Sequence, residues 1–311
     1  MPSVFPDQMS FFSASAGMEI AKSDHQAGIT ILNTRQECHR ILEAAPAADQ
    51  GHDCDWAAFL RAHGRVPRLG DEKPPWDYPG WLLYYCLLLE DHIGVVAKRW
   101  DYWRRTMVAG KLLDEPIPRI DFRCDGQQLE GMKRLDEWVR MVERYDGGWS
   151  GLTALLDWFL WGFGLAKEQP KIPAELNERL YREVNLGPWL LEPFDYLGAW
   201  IAAQKGKWNP FAFFPTPFSV VQLMVRMSMA DGEDARAKTT SDPAMGSARL
   251  LMCASNYSVR LSGSDIDVTM VKVAKINGAL YVPWLIRPFP ESFFIFHTHE
   301  KRVRPDRDNS Y

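Results

Sequence analysis

The chain has 311 residues, 46 % of them hydrophobic, and 36 Lys+Arg against 40 Asp+Glu give a net charge of −4. That length holds one large domain or two moderate ones with a substantial core, and the composition is ordinary for a soluble globular protein. The acidic balance argues against a protein that coats nucleic acid generally. Residues 207–311, however, carry 13 Lys+Arg against 10 Asp+Glu, so the acidity belongs to the first two-thirds.

Five scattered cysteines (Cys38, Cys54, Cys86, Cys124, Cys253), odd in number and without a Cys-x-x-Cys pair, fit a reducing compartment better than a disulfide framework. The start lacks the basic and continuous apolar regions of a signal peptide. The most apolar stretch is interrupted by Glu90, Asp91 and His92 and is too short to span a bilayer. The expectation is a cytoplasmic protein with no membrane partner. The 13 Trp and 16 Phe point to large aromatic packing or to a stacking surface.

In chain order, residues 1–30 are polar and aperiodic and read as a flexible arm. Residues 31–205 read as a mostly helical region. Its first helix, "TRQECHRILEAAP", is stopped by Pro46, and "DCDWAAFLRAHG" is capped by Asp53 or Asp55 and ended by Gly64. After the Pro/Gly-rich loop "RVPRLGDEKPPWDYPG" comes a long helical pattern from Trp81. A second pattern puts Leu129, Met132, Leu135, Trp138, Val139 and Val142 on one stripe. Further helices are expected at 151–166, 173–184 and 188–204.

From 206 to 311 the texture changes to an α/β pattern. Pro210, Pro215 and Pro217 punctuate a loop, and a helix over 218–229 turns Val221, Met224 and Val225 inward. "SDPAMGSARLLMCASNY" reads as a short entry, a turn and a helix. "VRLSGSDIDVTMVKVAKINGALYV" reads as a strand running into Asp265 and a helix from Val268 to Leu280, with "SFFIFHTHE" as a third strand. This succession begins a parallel α/β sheet, which places ligands at the carboxyl ends of its strands.

At those ends, Gly246 lets a backbone approach a ligand closely, and Ser247 stands at the start of a helix with N–H groups to offer. Asp265, at the end of the next strand, can take both hydroxyls of a ribose, or serve as a cap or surface charge. Asp267 reads as the N-cap of the following helix. Seen alone, such a Gly-Ser turn is more often structural than ligand-binding.

Taken in order, "FAFFPTPFSVVQLMV", "SDPAMGSARLLMCASNY" and "GSDIDVTMVKVAKINGALY" resemble the S-adenosylmethionine-binding half of adenine-N6 DNA methyltransferases, nearest to the modification-subunit type of restriction systems. "PWLLEPFDYLGAWIAAQKGKW" resembles the helix that leads into that family's aromatic Thr-Pro loop. The likeness covers about residues 186–285. It implies a helical N-terminal region followed by a partial Rossmann-like methyltransferase sheet. It implies S-adenosylmethionine as cofactor, held by Phe214, Thr216, Pro217, Asp242, Pro243, Ala244, Gly246, Ser247, Asp265 and Ile266. DNA, with a specificity or catalytic partner protein, is the implied company.

The chain departs from the family at Met245, where a cysteine is usual, and at Ala248, whose Cβ replaces a final glycine and is expected close to the ligand. The larger departure is catalytic. Holding an adenine amine takes an Asn/Asp oxygen, a proline carbonyl and a stacked aromatic ring, and no Asn/Asp-Pro-Pro-Tyr/Phe segment follows the second α/β helix. "KPPWDY" (Lys73 to Tyr78) leads with a donor-only lysine and reads as a surface turn. Asn209, Pro210 and Phe211 lack the second proline. The catalytic residues are therefore unassigned. The readings are an enzyme completed by another segment, a non-catalytic binding module, or a different α/β nucleotide binder. Cys38, His39, His52 and Cys54, like His297 and His299, lack zinc-site spacing, and no metal is expected.

Overall fold

The computed structural model describes residues 73–83, 86, 98–126, 128–145, 149–204, 213–229 and 234–294. The expected arm, the helices at 34–46 and 53–64, Asn209 to Phe211 and the Cys/His candidates at 38–54 and 297–299 lie outside these residues. "KPPWDY" is a single 3-10 turn over Pro75–Asp77.

The helical part comprises α1 (Arg99–Ala109), α2 (Glu130–Glu143), α3 (Trp149–Gly162), α4 (Ala174–Glu183), α5 (Gly187–Leu191) and α6 (Tyr196–Ala203). In α2 the expected stripe is the buried one: Leu135, Trp138, Val139 and Val142 are inside, with Leu129 and Met132 half-buried at its start. The apolar run predicts one helix over 188–204, but the structure has two. Pro193 has no N–H to continue the first, and Asp195 caps the second, accepting from the Gly198 N–H at 2.9 Å.

The α/β part follows as α7 (Phe218–Met229), β1 (Thr239–Asp242), α8 (Arg249–Ala254), β2 (Arg260–Gly263), α9 (Val268–Tyr281) and α10 (Pro283–Ile286). The strands are parallel, in register from Thr239 opposite Arg260 to Asp242 opposite Gly263, with α8 as the crossover. The class is thus α/β, with two strands among the described residues. Asp267 caps α9 as its position predicts, accepting from the Thr269 N–H at 2.8 Å. Two expectations need correction. Met224 is exposed, because the four-residue spacing of Val221, Val225 and Met229 sets the buried face of α7 on the other side. The segment expected as a third strand begins as a 3-10 turn, Glu291–Phe294, where the Pro290 carbonyl accepts the Phe293 N–H and both phenylalanines are buried.

One hydrophobic cluster runs through both parts. Trp100, Trp138, Trp158, Trp189 and Trp284 are fully buried, so much of the tryptophan content is core rather than a stacking surface. Each such ring contributes on the order of 1.5–3 kcal/mol by leaving water. Polar ties cross the same boundary. Buried Arg99 of α1 donates to Ser255 Oγ (2.5 Å) and the Tyr281 carbonyl (2.9 Å), and Trp100 donates to the Ala279 carbonyl (2.9 Å). Lys272 of α9 meets Asp157 of α3 at 2.6 Å. Among the described residues no helix is long and apolar enough to cross a membrane.

Burial pushes the phenols of Tyr102, Tyr196 and Tyr281 above their ordinary range. The Tyr196 and Tyr281 hydroxyls also donate to the carbonyls of Glu192 (2.7 Å) and Trp189 (2.9 Å). The folded chain keeps these protons, whereas the unfolded chain releases them near pH 10, so stability is full below about pH 10 and falls as pH rises beyond it. In an alkaline absorbance titration these three of the ten tyrosines should ionise only as the helical circular dichroism is lost. Ionisation of all ten ahead of unfolding would contradict this.

Candidate functional site

The carboxyl ends of β1 and β2 each run into a turn, and backbone hydrogen bonds knit the two turns together. Ser264 N–H donates to the Asp242 carbonyl and Met245 N–H to the Ser264 carbonyl, both at 3.0 Å. Side chains extend the pattern. The Asp242 carboxylate accepts from Ala244 N–H (3.1 Å), while Asp265 accepts from Gly246 N–H on one oxygen (2.8 Å) and Asp267 N–H on the other (2.9 Å). Asp265 is therefore the latch between the turns. Each of its oxygens keeps a second lone pair for an outside donor.

Gly246 sits at φ +52°, and a Cβ there would lie 2.6 Å from the Phe213 ring. Both facts demand glycine: the left-handed conformation penalises a side chain, and the aromatic loop packs where one would go. Ala248 is also left-handed, at φ +71°, and is fully buried. This corrects the expectation of a Cβ near a ligand, because Ala248 belongs to the core and not to the cavity described below. Met245, the other departure, does border that cavity.

Behind the turn lies Asp195, completely buried. Its carboxylate accepts from Gly198 N–H and Asn277 Nδ2 on one oxygen (both 2.9 Å), and from Ser247 Oγ (2.5 Å) and Arg249 Nε (2.8 Å) on the other. Four donors fill its acceptor sites, the condition under which a buried charge is tolerated. Gly198 is required by closeness, since a Cβ there would come within 2.2 Å of the Asp195 oxygen. Asn277 also donates to the Ser247 carbonyl at 2.9 Å. Ser247 is thus a structural anchor, its hydroxyl turned to Asp195. Arg249 reaches on to the Thr216 carbonyl (3.2 Å) and lies over the Phe218 ring, 5.0 Å from its centre, tying the Phe-Pro-Thr-Pro loop to the turn.

Between that loop and the two turns is a cavity of about 490 Å³, within the range of small-molecule sites. Of the ten residues singled out from sequence, eight border it: Phe214, Thr216, Asp242, Ala244, Gly246, Ser247, Asp265 and Ile266. Pro217 and Pro243 do not. Sequence reasoning missed Phe213, Arg249, Met224 and Met270 on the lining, and Asp195 and Asn277 behind it. The apolar walls include Phe213, Phe214, Met224, Met245, Ile266 and Met270; the charged ones are Asp242, Asp265, Asp267 and Arg249. Arg249 is already neutralised by Asp195, so the cavity's remaining charge is acidic. A ligand here meets carboxylates at the strand ends and apolar surface around them, which favours a cation with hydroxyl or amine donors and disfavours a polyanion.

Other chemistry finds little purchase nearby. Burial pushes the Cys253 thiol on α8 up to about 12, so it stays protonated and unreactive. Among the described residues no group of three or more His, Cys, Asp or Glu side chains is placed to hold a metal ion. Comparison with protein-family models, with curated proteins and with solved structures gave no match to this chain.

Removing the buried carboxylate with Asp195→Ala takes an acceptor from Arg249, Ser247 and Asn277 and leaves the buried guanidinium unpaired, which should cost about 3–5 kcal/mol in a urea melt. Gly246→Ala should cost about 1–3 kcal/mol through backbone strain and the Phe213 contact. Wild-type stability in either variant would contradict the geometry. Alkylation mapped by mass spectrometry should modify exposed Cys124 and spare Cys253 until the chain unfolds.

Proposed function

We propose that the chain is an S-adenosylmethionine-binding protein of the adenine-N6 DNA methyltransferase kind. In this reading the two-stranded sheet with its crossover helix is part of a Rossmann-like methyltransferase sheet. One observation carries the reading: eight residues chosen from the ordered motifs border a single acid-lined cavity at the carboxyl ends of two parallel strands. The residues fit such a cofactor. Asp265 keeps acceptor capacity for ribose hydroxyls, Asp242 and Asp265 offer negative charge to sulfonium and ammonium groups, and Phe213, Phe214, Met245 and Ile266 offer apolar surface to a purine. When bound, S-adenosylmethionine supplies an electrophilic methyl group on a sulfonium.

What the residues of this chain do is hold and orient. Asp195 and Asn277 fix the turn, Asp265 latches it to the second strand, and Arg249 keeps the aromatic loop in place. No Asn/Asp-Pro-Pro-Tyr/Phe segment occurs among the cavity residues, so on this reading methylation of DNA would draw that motif from another segment or from a partner protein. This favours, as the reading of the chain on its own, a cofactor-binding module without catalysis. The acidic lining also argues against the rival nucleotide binders, since NAD and ATP bring phosphates toward Asp242 and Asp265.

Calorimetric titration of the full chain tests this. S-adenosylmethionine should bind with one site, NAD and ATP should give no heat, and Asp265→Ala should weaken binding at least about 100-fold, the loss of a charged acceptor of two hydroxyls. The chain alone should transfer no methyl group to adenine-containing duplex DNA. Absence of heat with S-adenosylmethionine, or tighter binding of ATP, would overturn the proposal.

A further inference from the structure

Arg249, which opens α8, is the only cationic side chain among the described residues that border the cavity. A guanidinium is a planar fork with donors on all three nitrogens, and the protein uses two of them. Nε donates to Asp195 (2.8 Å) and Nη1 to the Thr216 carbonyl (3.2 Å). The group lies over the Phe218 and Phe194 rings, 5.0 and 5.8 Å from their centres, which fixes its plane. Nη2 donates to no acceptor among the described residues. Nor is it one of the fully buried atoms left without a partner, so this edge of an otherwise buried side chain reaches open space. The cavity is the open space that Arg249 borders.

We propose that the free edge of Arg249 receives the α-carboxylate of the ligand's amino-acid end. The site then selects a sulfonium nucleoside that carries a zwitterion over one that carries an amine alone. The inference rests on a ligand of the S-adenosylmethionine class. Asp195 holds Nε and so orients the fork, and a donor already fixed loses little freedom when a second carboxylate arrives. Asp195 also answers the charge of Arg249, but it leaves the remaining N–H groups free to donate. A hydrogen bond between a guanidinium and a carboxylate is among the stronger kinds.

The other walls decide which anion that edge takes. Asp242, Asp265 and Asp267 border the same cavity. A phosphate brings further negative charge toward them, whereas an α-carboxylate arrives with its own ammonium, which they attract. One donor edge among three carboxylates therefore suits a zwitterion and not a phosphate ester. The consequence runs against net charge alone. Decarboxylated S-adenosylmethionine keeps the purine, ribose, sulfonium and amine and is one unit more positive. An acidic lining acting by itself would bind it more tightly than the parent, and Arg249 on the carboxylate reverses that order.

Calorimetric titration of the full chain with the two nucleosides tests the proposal. The wild type should prefer S-adenosylmethionine over its decarboxylated form at least about tenfold. Arg249→Lys keeps a cation beside Asp195 without the planar fork. It should weaken S-adenosylmethionine at least about tenfold and leave the decarboxylated form within about twofold. A merely structural role for Arg249 would weaken both alike, and that result overturns the assignment. If the variant does not fold, the preference of the wild type decides alone. Equal or tighter binding of the decarboxylated form overturns the inference while leaving the cofactor reading in place, and binding of neither nucleoside overturns both. ATP that binds the wild type and is lost in Arg249→Lys also overturns it, because the free edge then serves a phosphate.

Discussion

A buried carboxylate with four donors is the constraint on which this structure turns. Asp195 caps the last helix of the helical part, and its partners are the first turn of that helix, the Gly-Ser turn after β1 with the start of α8, and Asn277 of α9. A charge removed from water is costly unless its acceptor sites are filled, so these segments are tied to a single arrangement. Two of the groups that fill the sites, Ser247 and Arg249, also border the cavity. With Ser247 held on Asp195, Gly246 borders the cavity against the Phe213 ring and Asp265 latches across the turn.

The site that results is defined by what remains after these internal ties. Arg249 borders the cavity, but its charge is answered by Asp195 and its plane lies over Phe218. Asp242, Asp265 and Asp267 are left to set the potential, and methionine and phenylalanine side chains to set the walls. Such a lining distinguishes between ligands that share a nucleoside. On the proposed reading, a sulfonium with an ammonium group would be attracted where a pyrophosphate would be repelled, and the ribose would be common to both.

How much of this the sequence carries depends on the range of the interaction. The stripe of α2, the β1–α8–β2 crossover and the Asp267 cap rest on residues within a few positions of one another, and periodicity and capping chemistry reveal them. The break between α5 and α6 was written in Pro193 but masked by apolar residues on both sides. Met224 faces outward against its expected place because α7 carries apolar residues on both sides, which leaves its inward face ambiguous from spacing alone. Phe293 and Phe294 have strand propensity, yet Pro290 before them sets a turn. The Asp195 cluster was not legible, because its partners stand 52, 54 and 82 positions away and no local pattern marks a carboxylate that acts at such distances. Ala248 shows the same limit: its left-handed, buried placement follows from the turn's tertiary anchoring and not from its neighbours in sequence.

If Asp195 shapes the site, an isosteric change there must be felt by the ligand. The direct measurement is the calorimetric affinity for S-adenosylmethionine of Asp195→Asn beside the wild type. The amide keeps one acceptor oxygen but turns a donor toward Ser247 and Arg249. The account predicts a chain that stays folded by circular dichroism and binds the cofactor at least about tenfold more weakly, the effect of about 1.4 kcal/mol of lost pre-organisation. Equal affinity in the two proteins, or no binding to the wild type, would contradict it.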